Sequence, residues 1–362
     1  MHGVGKIIVK VLAVILALIV ILIGIWALIS SGKIRTYDGP RSLSEKFLMY
    51  VNGAPNGMII NSTDTDNPVL LLVSSGPGTD DYFLTDRYEN MNLEEYFTVV
   101  YWDYRGMGIA YDSSFDPSSI TLENLIEDTH DVTQYLKERF GKEKIYIMGF
   151  SGGSHIALRT AAQYPEDYIA YIGMAQVVTD STERDTAMYN YMSDKFSKMG
   201  DSRALNTLES YVEHLDDGTV RCIATWREYV DLLHDAGGGT ILNQTEFQGI
   251  IMPIMLCRCY TIPEKINYIR GLKVYDHSPL NDELTDYDYR TLIPELQIPA
   301  YFISGEEDFN CPWPLVEDYC NQLSAPETGF YLIPDSAHSP LWENPEATID
   351  ILRQIREATS NG

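Results

Sequence analysis

Positive charge is scarce in this sequence. Lys and Arg number 26 against 52 Asp and Glu, a formal net charge of −26. A surface this acidic repels phosphate and argues against nucleic acid as a partner. Cysteine is also sparse. Cys222, Cys257, Cys259, Cys311 and Cys320 are five in all, and their spacing fits no zinc pattern, so no metal site is expected. Cys257 and Cys259 stand too close for an easy mutual bridge. A Cys311–Cys320 bond is conceivable but not compelled, and buried free thiols are the simpler expectation. Internal repeats are absent, and so is low complexity outside one apolar stretch. What remains reads as ordinary globular sequence, with 362 residues enough for one large domain carrying an insertion or for two domains.

That apolar stretch is Val11 to Ile29, 19 residues without a charge, flanked by Lys6 and Lys10 before and by Lys33 and Arg35 after. At ~1.5 Å per residue it is long enough to cross a bilayer. Trp26 near one end is a residue type common at the membrane interface. The apolar run of a cleaved leader is usually shorter, roughly 7–15 residues, and no clear A-x-A site follows here. The expectation is an uncleaved single-pass anchor in residues 1–32, its span covering about 7–29. The short leading tail places the main domain outside the cytoplasm by default. Residues 33–42 read as a polar linker.

Beyond it, strand and helix patterns alternate. Phe47 to Val51 and Met58 to Asn61 are expected strands, separated by the turn-rich Asn52 to Gly57. Val69 to Val73, Thr98 to Trp102, Ile145 to Met148, Tyr168 to Met174, Ala300 to Ser304 and Gly329 to Ile333 complete the set. Thr121 to Phe140 has a helical period with Thr121 as cap and Gly141 closing it. Strands alternating with helices give a mostly parallel, doubly wound α/β sheet. Residues 177–293 break the alternation and read as a helical cap inserted over the sheet's carboxyl edge, so 43–176 and 294–362 form the core.

The chemistry concentrates at Gly149-Phe150-Ser151-Gly152-Gly153, a G-x-S-x-G between a predicted strand and a predicted helix. A turn of this kind lifts the Ser151 hydroxyl above the sheet, and the Gly152 N–H at the helix start can donate to an oxyanion. A hydroxyl needs a base, and the base needs a carboxylate to fix its tautomer. Asp308 and His338 follow Ser151 in the order such proteins use, each in a loop after a predicted strand. Glu306 and Glu307 compete with Asp308. His130, His155, His214, His234 and His277 compete with His338, but none of them follows a core strand. Ser74 to Gly78 comes after the strand that usually supplies the second oxyanion donor, which makes Gly76 the candidate. A plain turn is the competing reading there, since Gly-Pro-Gly favours turns. No cofactor is needed for this chemistry.

These motifs resemble the α/β-hydrolase superfamily and, within it, the proline iminopeptidase branch, over roughly residues 43–360. The branch's His-Gly-Gly-Pro-Gly is Ser74-Ser-Gly-Pro-Gly78 here, and its Asp-Gln-Arg-Gly-x-Gly is Asp103-Tyr-Arg-Gly-Met-Gly108. Its acid and histidine turns are matched by Gly305 to Asp308 and by Ala337-His338 ahead of Pro340. The resemblance implies a serine hydrolase acting on short peptides or aminoacyl amides with a free amino end. In that branch cap glutamates bind the amine, and Trp226-Arg-Glu228 resembles such a segment, which makes Glu228 the substrate-binding candidate. An esterase or lipase acting on small esters or lipids near the membrane is the second expectation, and a non-catalytic binding module the third.

Overall fold

The computed structural model describes residues 2–74, 76, 80–87 and 91–360, and for residues 2–6 and 9 the backbone only. Ser75, Pro77 and Gly78 of the expected oxyanion loop lie outside this set. The chain opens with one helix, α1 (His2–Ile29), which stands clear of the rest except at its last turn. Its apolar stretch, Lys10–Ile29, has no buried share.

Two antiparallel strands follow, β1 (Leu43–Val51) and β2 (Ala54–Ser62). Then come β3 (Val69–Val73), β4 (Thr98–Asp103), helix α2 (Leu122–Phe140), β5 (Ile145–Phe150), helix α3 (Gly153–Gln163) and β6 (Tyr168–Met174). After β6 the chain leaves the sheet for α4 (Thr182–Met199), a small hairpin of β7 (Val212–His214) and β8 (Val220–Cys222), α5 (Trp226–Asp235), an apolar helical segment Phe247–Leu256, and α6 (Ile262–Asp276). It returns with β9 (Ala300–Gly305), α7 (Trp313–Gln322), β10 (Thr328–Ile333) and α8 (Pro345–Thr359). The large sheet has the order β1-β2-β4-β3-β5-β6-β9-β10, parallel from β4 onward.

The uniform apolarity of β3 follows from its place. Val69, Leu71 and Val73 pack into the core on one face of the sheet, and Leu70 and Leu72 into the core on the other. A strand covered by helices on both sides has no wet face to alternate toward. Helix α2 begins where the Thr121 side chain accepts from the Asn124 N–H and ends at Gly141 with φ +61°. The segment between β6 and β9 carries its own apolar cluster, built on Met188, Met192, Phe196, Tyr229 and Leu233.

Two local expectations need correction. The first turn is only Asn52-Gly53, with φ of +48° and +74°. Both residues are left-handed, the geometry that matches strand twist in a two-residue hairpin, so β2 starts at Ala54 rather than at Met58. The inserted segment is not wholly helical, because β7 and β8 pair within it. Their three-residue strands, Val-Glu-His and Val-Arg-Cys, are too short to show a period.

Candidate active site

The strand β5 ends on Phe150 and the helix α3 starts at Gly153, so two residues turn the chain. The first, Ser151, has φ +51°, a conformation costly for a side-chain-bearing residue. It is held there by the bond from its N–H to Met174 O (3.0 Å) and by the Ser154 hydroxyl, which donates to Ser151 O (2.6 Å). The close crossing demands glycine on both sides. A Cβ on Gly149 would meet Ser154 Cα at 2.6 Å, and one on Gly153 would meet Val73 O and Ser74 O at 2.2 Å.

Ser151 Oγ lies 2.8 Å from Nε2 of His338. The other ring nitrogen, Nδ1, lies 3.1 Å from both carboxylate oxygens of Asp308. Both partners are buried. Asp308 Oδ1 also accepts from the Cys311 N–H at 2.9 Å, which fixes the carboxylate. With Nδ1–H donating to Asp308, Nε2 is left as an acceptor facing the serine hydroxyl. That is the arrangement in which an imidazole takes a proton from a nucleophile. The rival acids are engaged elsewhere: Glu306 accepts from Asp335 N–H (2.9 Å), and Glu307 pairs with Lys195 (2.8 Å). Of the rival histidines, His155 and His234 reach the cavity, but Tyr289 OH holds His155 Nδ1 at 2.7 Å and burial pushes its pKa down to about 3, while His234 Nδ1 lies 3.0 Å from Gln244 O.

Gly76 and Gly152 come together beside Ser151. A Cβ on Gly76 would sit 3.9 Å from Gly152 Cα, and both residues line the cavity above the serine. Tyr104 steadies this side. It stands where the branch pattern has Gln, and its hydroxyl donates to Ser74 O at 2.8 Å.

Glu228 is not brought to the site. Its carboxylate accepts from Thr225 N–H (3.0 Å) and Thr225 Oγ (2.6 Å), closing a capping box at the exposed start of α5. A side chain spent on its own helix terminus cannot also reach a substrate. The carboxylates that do line the cavity are Asp81, Asp180, Asp231, Glu246, Asp276 and Asp282. Asp180 is paired with Arg184 (2.6 Å) and Glu246 with Arg227 (3.5 Å). The cavity measures about 780 Å³, with Leu84, Phe150, Val177, Ile250, Ile251 and Leu272 among its apolar walls.

One supporting residue has no counterpart in the sequence reading. Glu343 is half-buried behind His338 and accepts from the N–H groups of Ala337 (3.1 Å), Ser339 (2.7 Å) and Leu242 (2.6 Å). It binds the residues on both sides of the histidine and ties them to the inserted segment. Burial raises its pKa, while the three backbone donors oppose the rise. Its signal in the sequence was slight: a lone acid after Pro340-Leu-Trp342.

Sheet order, elbow and loop placement define the class. A model of the alpha/beta hydrolase family matches residues 70–351, and the chain belongs to that family. Among individual relatives, it is 31% identical over 295 residues to the probable aminopeptidase YbaC of Bacillus subtilis (strain 168), spanning 80% of this chain and 88% of that one. It is 22% identical over 312 residues to a proline iminopeptidase of Lactobacillus delbrueckii subsp. bulgaricus, spanning 82% and 92%. Among solved structures, the proline iminopeptidase of Mycobacterium smegmatis superposes with a TM-score of 0.60 at 15% identity, spanning 87% of this chain and 98% of that one, a likeness of fold.

Proposed function

We propose that this hydrolase is a membrane-anchored serine aminopeptidase acting on short peptides or aminoacyl amides with a free amino end. Ser151 Oγ attacks the carbonyl carbon as His338 Nε2 takes its proton, and the Gly76 and Gly152 N–H groups hold the oxyanion. Asp308 keeps His338 in the right tautomer and stabilises the imidazolium. His338 then protonates the leaving amine, and water releases the acyl group by the same steps in reverse. The observation that carries the reading is the Ser151–His338–Asp308 chain of contacts at 2.8 and 3.1 Å on the cavity floor. The aminopeptidase assignment draws on the relatives' names. It also draws on Asp231, Asp276 and Asp282 in the cavity wall, carboxylates suited to a substrate ammonium. The apolar walls support the second reading, an esterase or lipase-like enzyme of small esters or lipids. The anchor reading rests on Lys10–Ile29, and the bonds between the end of α1 and the folded domain favour a retained helix over a removed leader.

The test is hydrolysis of aminoacyl-naphthylamides and p-nitrophenyl acyl esters by the full chain, beside Ser151→Ala. The expected result is turnover of the free-amine amides, reduced on the order of 10⁶-fold in kcat by the substitution. Turnover of esters alone would move the function to the second reading. A folded protein that neither turns over nor reacts with a fluorophosphonate would be a binding module.

A further inference from the structure

The last turn of α1 is bonded to the inserted segment rather than to the sheet. Trp26 Nε1–H donates to Met255 O at 2.8 Å. The buried Lys265 ammonium donates to Ser30 Oγ (2.9 Å), Met255 O (2.9 Å) and Cys257 O (2.8 Å), and lies 5.8 Å from the centre of the Trp26 ring. Lys33 N–H donates to Arg258 O at 3.0 Å, and Ser31 bridges to Thr261. Trp26 stands three residues before the end of α1. At ~1.5 Å per residue it is about 4.5 Å below that end, so the backbone at Met255 is level with the final turn of the span.

The two elements gripped in this way are the Phe247–Leu256 segment and α6. Both expose apolar side chains. Phe247, Met252 and Leu256 on the first and Ile266 and Ile269 on the second are between 37% and 60% exposed. Exposed apolar side chains at this depth relative to a bilayer-spanning helix have hydrocarbon or the headgroup boundary as their surroundings. The cations nearby fit the same level. Lys33, Arg87 and Arg258 line a hollow beside the helix end, shared with Asp86, Glu94 and Glu95. Arg87 also donates to Gln248 O in the apolar segment at 3.0 Å. Basic side chains next to a span sit at the phosphate level of a membrane.

We infer that Phe247–Leu256 and the start of α6 are seated in the bilayer interface, so that the cap lies on the membrane that α1 crosses. This rests on the reading of α1 as a retained anchor. The same two elements present Ile250, Ile251, Tyr268 and Leu272 to the catalytic cavity. A single layer of helix therefore separates the site from the lipid, and a substrate carrying an apolar, membrane-partitioned group is placed next to this wall of the cavity.

The full chain is reconstituted into phosphatidylcholine vesicles containing a diazirine-acyl phosphatidylcholine, irradiated, and its labelled peptides mapped by mass spectrometry. The expected pattern is label within 7–29 and also within 247–256 and 262–269. Label confined to 7–29 overturns the seating of the cap and leaves the anchor standing. Protein without label in 7–29 overturns the anchor reading and the inference with it. In Met252→Glu/Leu256→Glu, both at exposed positions outside the cavity, cap labelling is expected to fall away while that of 7–29 persists. Undiminished cap labelling in this variant overturns the inference.

Discussion

At the scale of single residues, the site depends on carboxylates whose partners decide their roles. Asp308 faces His338 Nδ1 with both carboxylate oxygens, while Glu343 binds three backbone donors around the same loop. A third group, Asp80 and Asp103, is buried where the oxyanion-side loop rejoins the fold. Asp103 accepts from the N–H groups of Asp80 (2.5 Å) and Ile109 (2.7 Å), and Tyr260 OH donates to Asp80 Oδ1. Asp80 Oδ2 has no donor among the described residues, which a proton shared with Asp103 would supply. Burial raises both carboxyl pKa values, and for Asp103 the Asp80 charge adds to the rise. A carboxyl whose pKa is raised by folding gives stability that is complete below its unfolded value of about 4 and is lost as pH rises above it. Asp80→Asn puts a permanent donor in place of the shared proton. Thermal unfolding followed from pH 4 to 8 is expected to show a flatter decline for this variant than for the parent, and parallel curves would refute the shared proton. None of this was legible in advance. Asp103 stood out only as the first residue of its motif, and Asp80 and Tyr260 read as ordinary polar residues. That Ser151, Asp308 and His338 would meet was legible, because each follows a strand whose apolar run announces it and a parallel sheet brings those strand ends to one edge.

At the scale of elements, the fold could be read where periodicity or a local signature was strong, as in β3, α2 and the elbow. It failed where tertiary partners chose among local options. Glu228 illustrates this. In sequence it is an acid in a segment resembling an amine-binding one, but with Thr225 three residues earlier it is also half of a capping box. The helix terminus wins because its N–H donors are already within reach, whereas a substrate would have to be met across the cavity. Glu228→Ala should therefore lower the stability of the inserted segment modestly and leave kcat/KM for aminoacyl amides unchanged. Chemical denaturation and steady-state kinetics on the one variant would check both halves. A large rise in KM without loss of stability would restore the residue to substrate binding.

At the scale of the whole molecule, the chain joins an acidic hydrolase body to an apolar helix, and the joint falls on the elements that roof the cavity. The apolar span of 20 residues is about 30 Å long, close to the hydrocarbon thickness of an ordinary bilayer. With α1 as the anchor proposed above, a thicker or thinner membrane would tilt the helix or draw its end inward, at a modest cost per ångström. Because Trp26 and Ser30 are bonded to the backbone at Met255 and to Lys265, such a displacement would be passed to the roof of the cavity before it reached the sheet. Turnover in vesicles of monounsaturated phosphatidylcholines with graded chain length should pass through a maximum near the matching thickness, and a flat profile would show that the joint transmits nothing. The hydrogen bonds of one tryptophan and one lysine would then make lipid chain length an input to catalysis, with no effector molecule bound.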